Sequence, residues 1–130
     1  MKNLISKIEL KKAKIGIVGL GYVGLPLVSE FLSNGFEVIG IDKDQSKIDA
    51  LNDRKSYIAH INSKFISKYL SKSLTVSTDI SSLKNADVII LCLPTPLKEN
   101  YEPEMKYVFD TIEELIPFLN NGQALCLEST

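Results

Sequence analysis

The run Ile15-Gly16-Ile17-Val18-Gly19-Leu20-Gly21-Tyr22-Val23-Gly24-Leu25-Pro26 constrains this chain most, because an apolar strand passes straight into a G-x-G-x-x-G turn and a helix start. In such a turn the first glycine permits the tight reversal, the second lets the backbone approach a diphosphate, and the third lets the new helix pack close to the strand. Exposed N–H groups at the helix N-terminus then face the anion. Three glycines in six residues also occur in ordinary turns, so the flanking sequence has to carry the reading.

After Gly24, Leu27, Val28, Phe31 and Leu32 recur at helical spacing, and Asn34-Gly35 supplies a stop. Phe36 to Asp42 reads as a second buried strand that ends on an acid, 18 residues beyond Gly24. That is close to the roughly 20-residue spacing at which strand–turn–helix units of this kind bind the adenosine ribose hydroxyls. The bland alternative for Asp42 is a helix N-cap or turn residue. An acid at this point repels a 2'-phosphate, so NAD is expected over NADP, with Lys43 and Lys47 as the neighbouring opposing charges.

Composition narrows the classes further. At 130 residues with 45% hydrophobic content the chain can bury one core, which predicts one domain. A net charge of −1 with lysines spread along the sequence gives no general attraction to nucleic acid. Cys92 and Cys126 sit inside apolar runs and are expected to be buried small hydrophobes in a reducing compartment. No apolar stretch reaches membrane-spanning length, and residues 1–14 alternate lysine with isolated aliphatics rather than forming a secretory core. The expectation is a cytoplasmic protein with no membrane or nucleic-acid partner.

The remaining periodicities predict a short amphipathic helix through Leu4, Ile5, Ile8 and Leu10 and a helix over 45–52 with Ile48 and Leu51 inward. A loop over 54–57 precedes a helix over 61–70, capped at Asn62 or Ser63. Leu74 to Ser77 reads as a third strand, 80–86 as a helical turn, 87–93 as a fourth strand and Thr95-Pro96 as a loop. A long helix over 104–120 places Val108, Ile112, Leu115, Ile116 and Leu119 inward, with Pro117 arguing for a kink or an earlier end. Gln123 to Glu128 reads as a fifth apolar strand.

Apolar strands alternating with helices imply an α/β architecture, a doubly wound parallel sheet covered on both faces. Five strands in this rhythm match a dinucleotide-binding Rossmann domain without its usual sixth strand, so 1–130 reads as one NAD(P)-binding domain truncated from a longer enzyme. Ligands of such sheets sit at the carboxyl ends of the strands. Gly19 to Gly24, Asp42, Thr95, and Ser129 with Thr130 should therefore converge on one site.

Taken together, Gly19 to Leu27 (GLGYVGLPL), Asp42, Cys92 to Leu97 (CLPTPL) and Leu127 to Thr130 (LEST) resemble the N-terminal domain of the UDP-glucose/GDP-mannose dehydrogenase family. The runs Thr95-Pro96-Leu97 with Glu102-Pro103-Glu104, and Ser56-Tyr57-Ile58 with His60, resemble most the branch acting on UDP-N-acetylglucosamine or UDP-N-acetylmannosamine. The resemblance implies an enzyme that oxidises a UDP-sugar C6 alcohol to an acid in two NAD-dependent steps, with an aldehyde between them and a cysteine thioester before hydrolysis. By the same resemblance the catalytic cysteine and the substrate domain lie beyond Thr130, so the chain alone should bind NAD without catalysing. The full-length enzyme is expected to be a homodimer or larger homo-oligomer serving surface-polysaccharide synthesis.

Residue by residue, the resemblance assigns Gly19, Gly21, Tyr22, Val23 and Gly24 to the pyrophosphate and Asp42 to the adenosine ribose, with Lys47 near that ribose. Thr95 would reach the cofactor from the fourth strand. Thr130 would be both a cofactor contact and the positioner of the hydrolytic water, since a hydroxyl can donate and accept. Glu128 departs from the lysine of some relatives and reads equally as a solvent-facing strand end. Tyr22 reads equally as a lid beside the cofactor or as packing on the loop, His60 as a surface residue, and Phe65 with Tyr69 as core. No metal is expected. Two other functions fit the same motif: a stand-alone NAD-responsive regulatory module, and the cofactor domain of another NAD-dependent dehydrogenase such as a hydroxyacid dehydrogenase.

Overall fold

The computed structural model describes residues 2–128. Five strands, β1 (Lys14–Val18), β2 (Glu37–Ile41), β3 (Leu74–Ser77), β4 (Val88–Leu91) and β5 (Ala124–Leu127), form one sheet in the order β3-β2-β1-β4-β5. Every pairing is parallel, with Ile15 opposite Val38 on one side and Val88 on the other. The chain winds outward from β1 to β3, then crosses back to place β4 on the other side of β1. This reversal opens a crevice at the carboxyl ends of β1 and β4.

Strand side chains alternate between two apolar layers, as their period of two requires. Ile15, Ile17 and Val38 pack with Leu25, Val28 and Leu32 of α2 (Gly24–Ser33), Ile48 and Leu51 of α3 (Gln45–Asn52) and Ile66 of α4 (Ser63–Tyr69). Val18, Ile41, Ile89 and Leu91 face the opposite layer with Leu83 and with Leu115 of α5 (Lys106–Leu115). Phe65 and Tyr69, expected as core, are partly buried and pack against the first layer with ring centroids 4.8 Å apart.

Local chemistry sets the element ends. Asp44, Asn62 and Asp79 each accept the N–H two residues on, capping α3, α4 and the 3-10 helix Ile80–Asn85. Gly35 ends the α2 turn with φ +90°, a conformation glycine adopts without strain. Away from the crevice, Asp87 staples the amino ends of the sheet. Its Oδ2 accepts the Lys14 N–H at 2.8 Å, and its Oδ1 pairs with Lys7 Nζ at 2.9 Å, reaching α1 (Lys2–Glu9).

Three sequence expectations need correction. The long helix ends at Leu115, the earlier end for which Pro117 argued, and tightens into a 3-10 turn, Ile116–Phe118, because Pro117 lacks the N–H that an α-helix would need. Ile116 is thereby turned outward, 57% exposed, instead of inward. Among the described side chains of α1 only Leu4 is buried; Ile5 and Ile8, and Leu10 just after the helix, are exposed, since one short edge helix covers little surface. The fifth strand is a sheet edge, so Leu125, Cys126 and Leu127 are exposed and Cys126 is not the buried hydrophobe its apolar neighbours suggested.

Candidate functional site

The strand β1 delivers the chain to Gly19, which has φ +94° and whose missing Cβ would strike the Cys92 carbonyl at the end of β4. Gly24 lies so close to Gly19 that a Cβ there would overlap the Gly19 carbonyl oxygen; only glycine lets α2 start this near the strand. Gly21 is different. A Cβ on it would meet nothing within 4 Å, so no neighbour in the protein demands glycine at this position. What the missing side chain leaves open is space for a ligand against the backbone.

That space belongs to a cavity of about 530 Å³ at the carboxyl ends of the strands. Gly19, Gly21, Tyr22, Val23, Gly24, Asp42, Lys47 and Thr95, drawn from four segments, all line it. Among the described residues the N–H groups of Gly21, Tyr22, Val23 and Gly24 have no protein acceptor, while the Gly19 N–H is taken by Ile41 O at 2.7 Å and the Leu20 N–H by Asp42. Val23, at the N-cap of α2, offers no capping side chain. Four free donors at a helix N-terminus form an anion cradle suited to a diphosphate.

Asp42 is held in place by backbone N–H groups on two sides. One carboxylate oxygen accepts the Leu20 N–H at 2.8 Å and the other the Asp44 N–H at 2.8 Å, while Lys47 Nζ stands 3.9 Å from Oδ2. The N-cap of α3 is Asp44, so Asp42 is a turn residue whose carboxylate also lines the cavity. Each oxygen keeps acceptor capacity for hydroxyl donors. Lys43, the other cation beside this acid, pairs with Glu114 of α5 at 3.4 Å.

Tyr22 is 84% exposed, which removes packing on the loop as an account of its ring and leaves it at the cavity mouth. Glu128 lines the cavity and is exposed; His60 is exposed and lies outside the cavity. Ser129 and Thr130 fall outside the described residues. Cys92 lines the cavity half-buried, its thiol pushed up to about 11 by burial and then by the Glu128 charge, so it is a thiol and not a thiolate at neutral pH. Among the described residues no group of three His, Cys, Asp or Glu could hold a metal ion, and no helix is long and apolar enough to cross a membrane.

The sequence reading missed the far wall, made by Thr78 and Ile80 after β3 and by Tyr107, Thr111 and Glu114 of α5. Thr111 is 2% exposed, and no described residue hydrogen-bonds its hydroxyl. Among the described residues no side-chain oxygen is both sealed and unpartnered, so this hydroxyl opens to the cavity. The signal that could have found it is a threonine at helical spacing between the buried Val108 and Leu115.

The family model described as "UDP-glucose/GDP-mannose dehydrogenase family, NAD binding domain" matches residues 13–130, and so takes in the glycine turn, Asp42 and the α5 wall. The chain belongs to this family. Its cofactor is NAD, and the free-donor cradle at Gly21 to Gly24 with the acid at Asp42 fits that group. A UDP-N-acetyl-D-mannosamine dehydrogenase of Methanococcus maripaludis (strain C7) is 35% identical over 123 residues, covering 90% of this chain and 28% of that protein. The UDP-N-acetyl-mannosamine dehydrogenase Cap5O of Staphylococcus aureus superposes with a TM-score of 0.81 at 32% identity, covering 91% of this chain and 28% of that one. GDP-mannose dehydrogenase of Pseudomonas aeruginosa, at 29% identity, gives a TM-score of 0.81 over 89% of this chain and 28% of its own. The chain thus spans a little over a quarter of the relatives it matches. It is an NAD-binding domain of this family, similar over most of its length to the corresponding part of UDP-N-acetylmannosamine dehydrogenases.

Proposed function

We propose that this domain serves an enzyme that oxidises the C6 alcohol of a UDP-N-acetylhexosamine to a uronic acid in two NAD-dependent steps. The observation that carries the proposal is the unobstructed Gly21 backbone beside four unpartnered N–H groups and the Asp42 carboxylate, in a chain whose similar relatives are UDP-N-acetyl-D-mannosamine dehydrogenases. In this reading Gly19 and Gly24 shape the turn, and the N–H groups of Gly21, Tyr22, Val23 and Gly24 hold the pyrophosphate. Asp42 takes the adenosine ribose hydroxyls, with Lys47 beside it, and Thr95 reaches the cofactor from the end of β4. Thr130 is proposed as a second hydroxyl contact and as the positioner of the hydrolytic water. Bound NAD supplies the hydride acceptor.

The domain's own residues bind and orient; they do not supply a nucleophile. Cys92 keeps its proton, and Cys126 sits on the exposed β5 edge, not among the residues that line the cavity. The 130-residue chain mixed with NAD and UDP-N-acetylmannosamine is therefore expected to bind NAD and form no NADH. A longer protein carrying this domain is expected to form two NADH per sugar. Turnover by the chain alone, or one NADH per sugar in the longer protein, would overturn the assignment.

A further inference from the structure

The motif Ser56-Tyr57-Ile58 with His60, which resembles one branch of the family, lines no part of the cavity. Its structure shows a strap. Ile58 and Ile61 anchor it in the core at 4% and 6% exposure. Ser56 locks the bend, donating its hydroxyl to Ile58 O at 2.9 Å and its N–H to Ser63 Oγ at 3.2 Å. Between Ser56 and the Ile58 anchor, the half-buried Tyr57 reaches the glycine turn and donates its hydroxyl to the Leu20 carbonyl at 2.5 Å.

Leu20 is thereby held at three points. Its N–H donates to Asp42, its carbonyl accepts from Tyr57, and its fully buried side chain packs over Gly40, with both Cδ atoms 3.2 Å from where a Cβ would stand. The Leu20 carbonyl shares one planar trans peptide with the Gly21 N–H, so the two groups point in opposite directions. Fixing the carbonyl toward the strap fixes the first free donor of the cradle away from it. Glycine at 21 would otherwise tolerate rotation of this peptide.

We propose that Tyr57 is a positioning residue for the cofactor: its hydrogen bond to Leu20 sets the Leu20–Gly21 peptide so that the Gly21 N–H is presented to the pyrophosphate before NAD arrives. Burial, and then the negative charges of Asp42 and Asp44, push the phenol well above its ordinary range, so it stays a donor at every physiological pH. The proposal rests on NAD occupying the cavity, and it gives the strap a role in cofactor binding rather than in sugar recognition.

The test is Tyr57→Phe in the 130-residue chain, which keeps the ring and removes only the donor. Affinities for NAD and for adenosine are measured by calorimetry below the melting midpoint of both proteins, and the Gly21 amide resonance is followed without ligand, with Gly122 as a distant control. Loss of one such hydrogen bond predicts an NAD Kd raised about three- to tenfold. Adenosine affinity should be unchanged, because it carries no pyrophosphate, and the Gly21 resonance should shift while Gly122 does not. An unchanged NAD Kd, an equal loss for adenosine, or an unmoved Gly21 resonance would overturn the proposal. Absence of NAD binding to the wild type would instead fault the cavity assignment, and the Gly21 resonance would still report on the clamp.

Discussion

Gly21→Ala separates a glycine kept for a ligand from one kept for the fold. A Cβ at Gly21 meets nothing within 4 Å and the backbone there is outside the left-handed region, so the folded protein accommodates the methyl. Fewer conformations in the unfolded chain should then raise stability by about 0.4–1 kcal/mol. The same methyl projects into the cavity where the diphosphate would lie against four free N–H groups. A hydrogen bond to a charged acceptor contributes about 1.5–3 kcal/mol, so losing even one weakens NAD by roughly ten- to a hundredfold. Gly24→Ala should behave oppositely in the melt, since its Cβ collides with the Gly19 carbonyl oxygen; a loss of about 1–3 kcal/mol or more follows from such overpacking. Calorimetric titration with NAD beside thermal or urea denaturation reads both effects. Wild-type NAD affinity in Gly21→Ala, or a destabilisation matching that of Gly24→Ala, would refute the reasoning.

Other consequences are independent of that turn. Burial opposes ionisation of Asp87, but the Lys14 N–H and Lys7 outweigh it and hold the carboxyl below its ordinary value of 3.8. Its stabilisation is therefore complete above that value and is lost as pH falls through the lower folded-state value. Asp87→Asn should cost about 1–2 kcal/mol at pH 7, with the gap to wild type closing in strong acid; a gap independent of pH in urea melts would contradict this. At neutral pH a soluble alkylating reagent should modify the exposed Cys126 and spare Cys92 in the folded chain, as peptide mapping would show. Thr111→Val should leave the melting midpoint unlowered, because the hydroxyl it removes has no partner among the described residues. A clear loss of stability in that variant would mean the hydroxyl is bonded within the fold.

Much of the fold was legible because local chemistry and periodicity agree. The Asn62 cap, the α3 bounds at Gln45–Asn52 and the third strand at Leu74–Ser77 follow directly from residue order. The turn was legible because two of its glycines answer separate steric demands of the fold, seen at Gly19 and Gly24 as contacts a Cβ could not survive. What sequence could not show was set by tertiary neighbours. The apolar run Ala124–Leu127 has the pattern of a buried strand, but its position as the edge leaves it exposed. Ile116 continues the helical stripe only if Pro117 lets the helix continue. The Lys43–Glu114 pair and the Tyr57–Leu20 bond join residues 71 and 37 positions apart, which no local pattern encodes.

Whether the cavity at the glycine turn binds NAD through Asp42 is decided by titrating NAD and NADP against the wild-type chain and Asp42→Ala. Wild type should prefer NAD, because the carboxylate accepts from the ribose hydroxyls and repels a 2'-phosphate, and Asp42→Ala should lose NAD affinity and most of the preference. Equal affinities for the two cofactors, unchanged by the substitution, would contradict this.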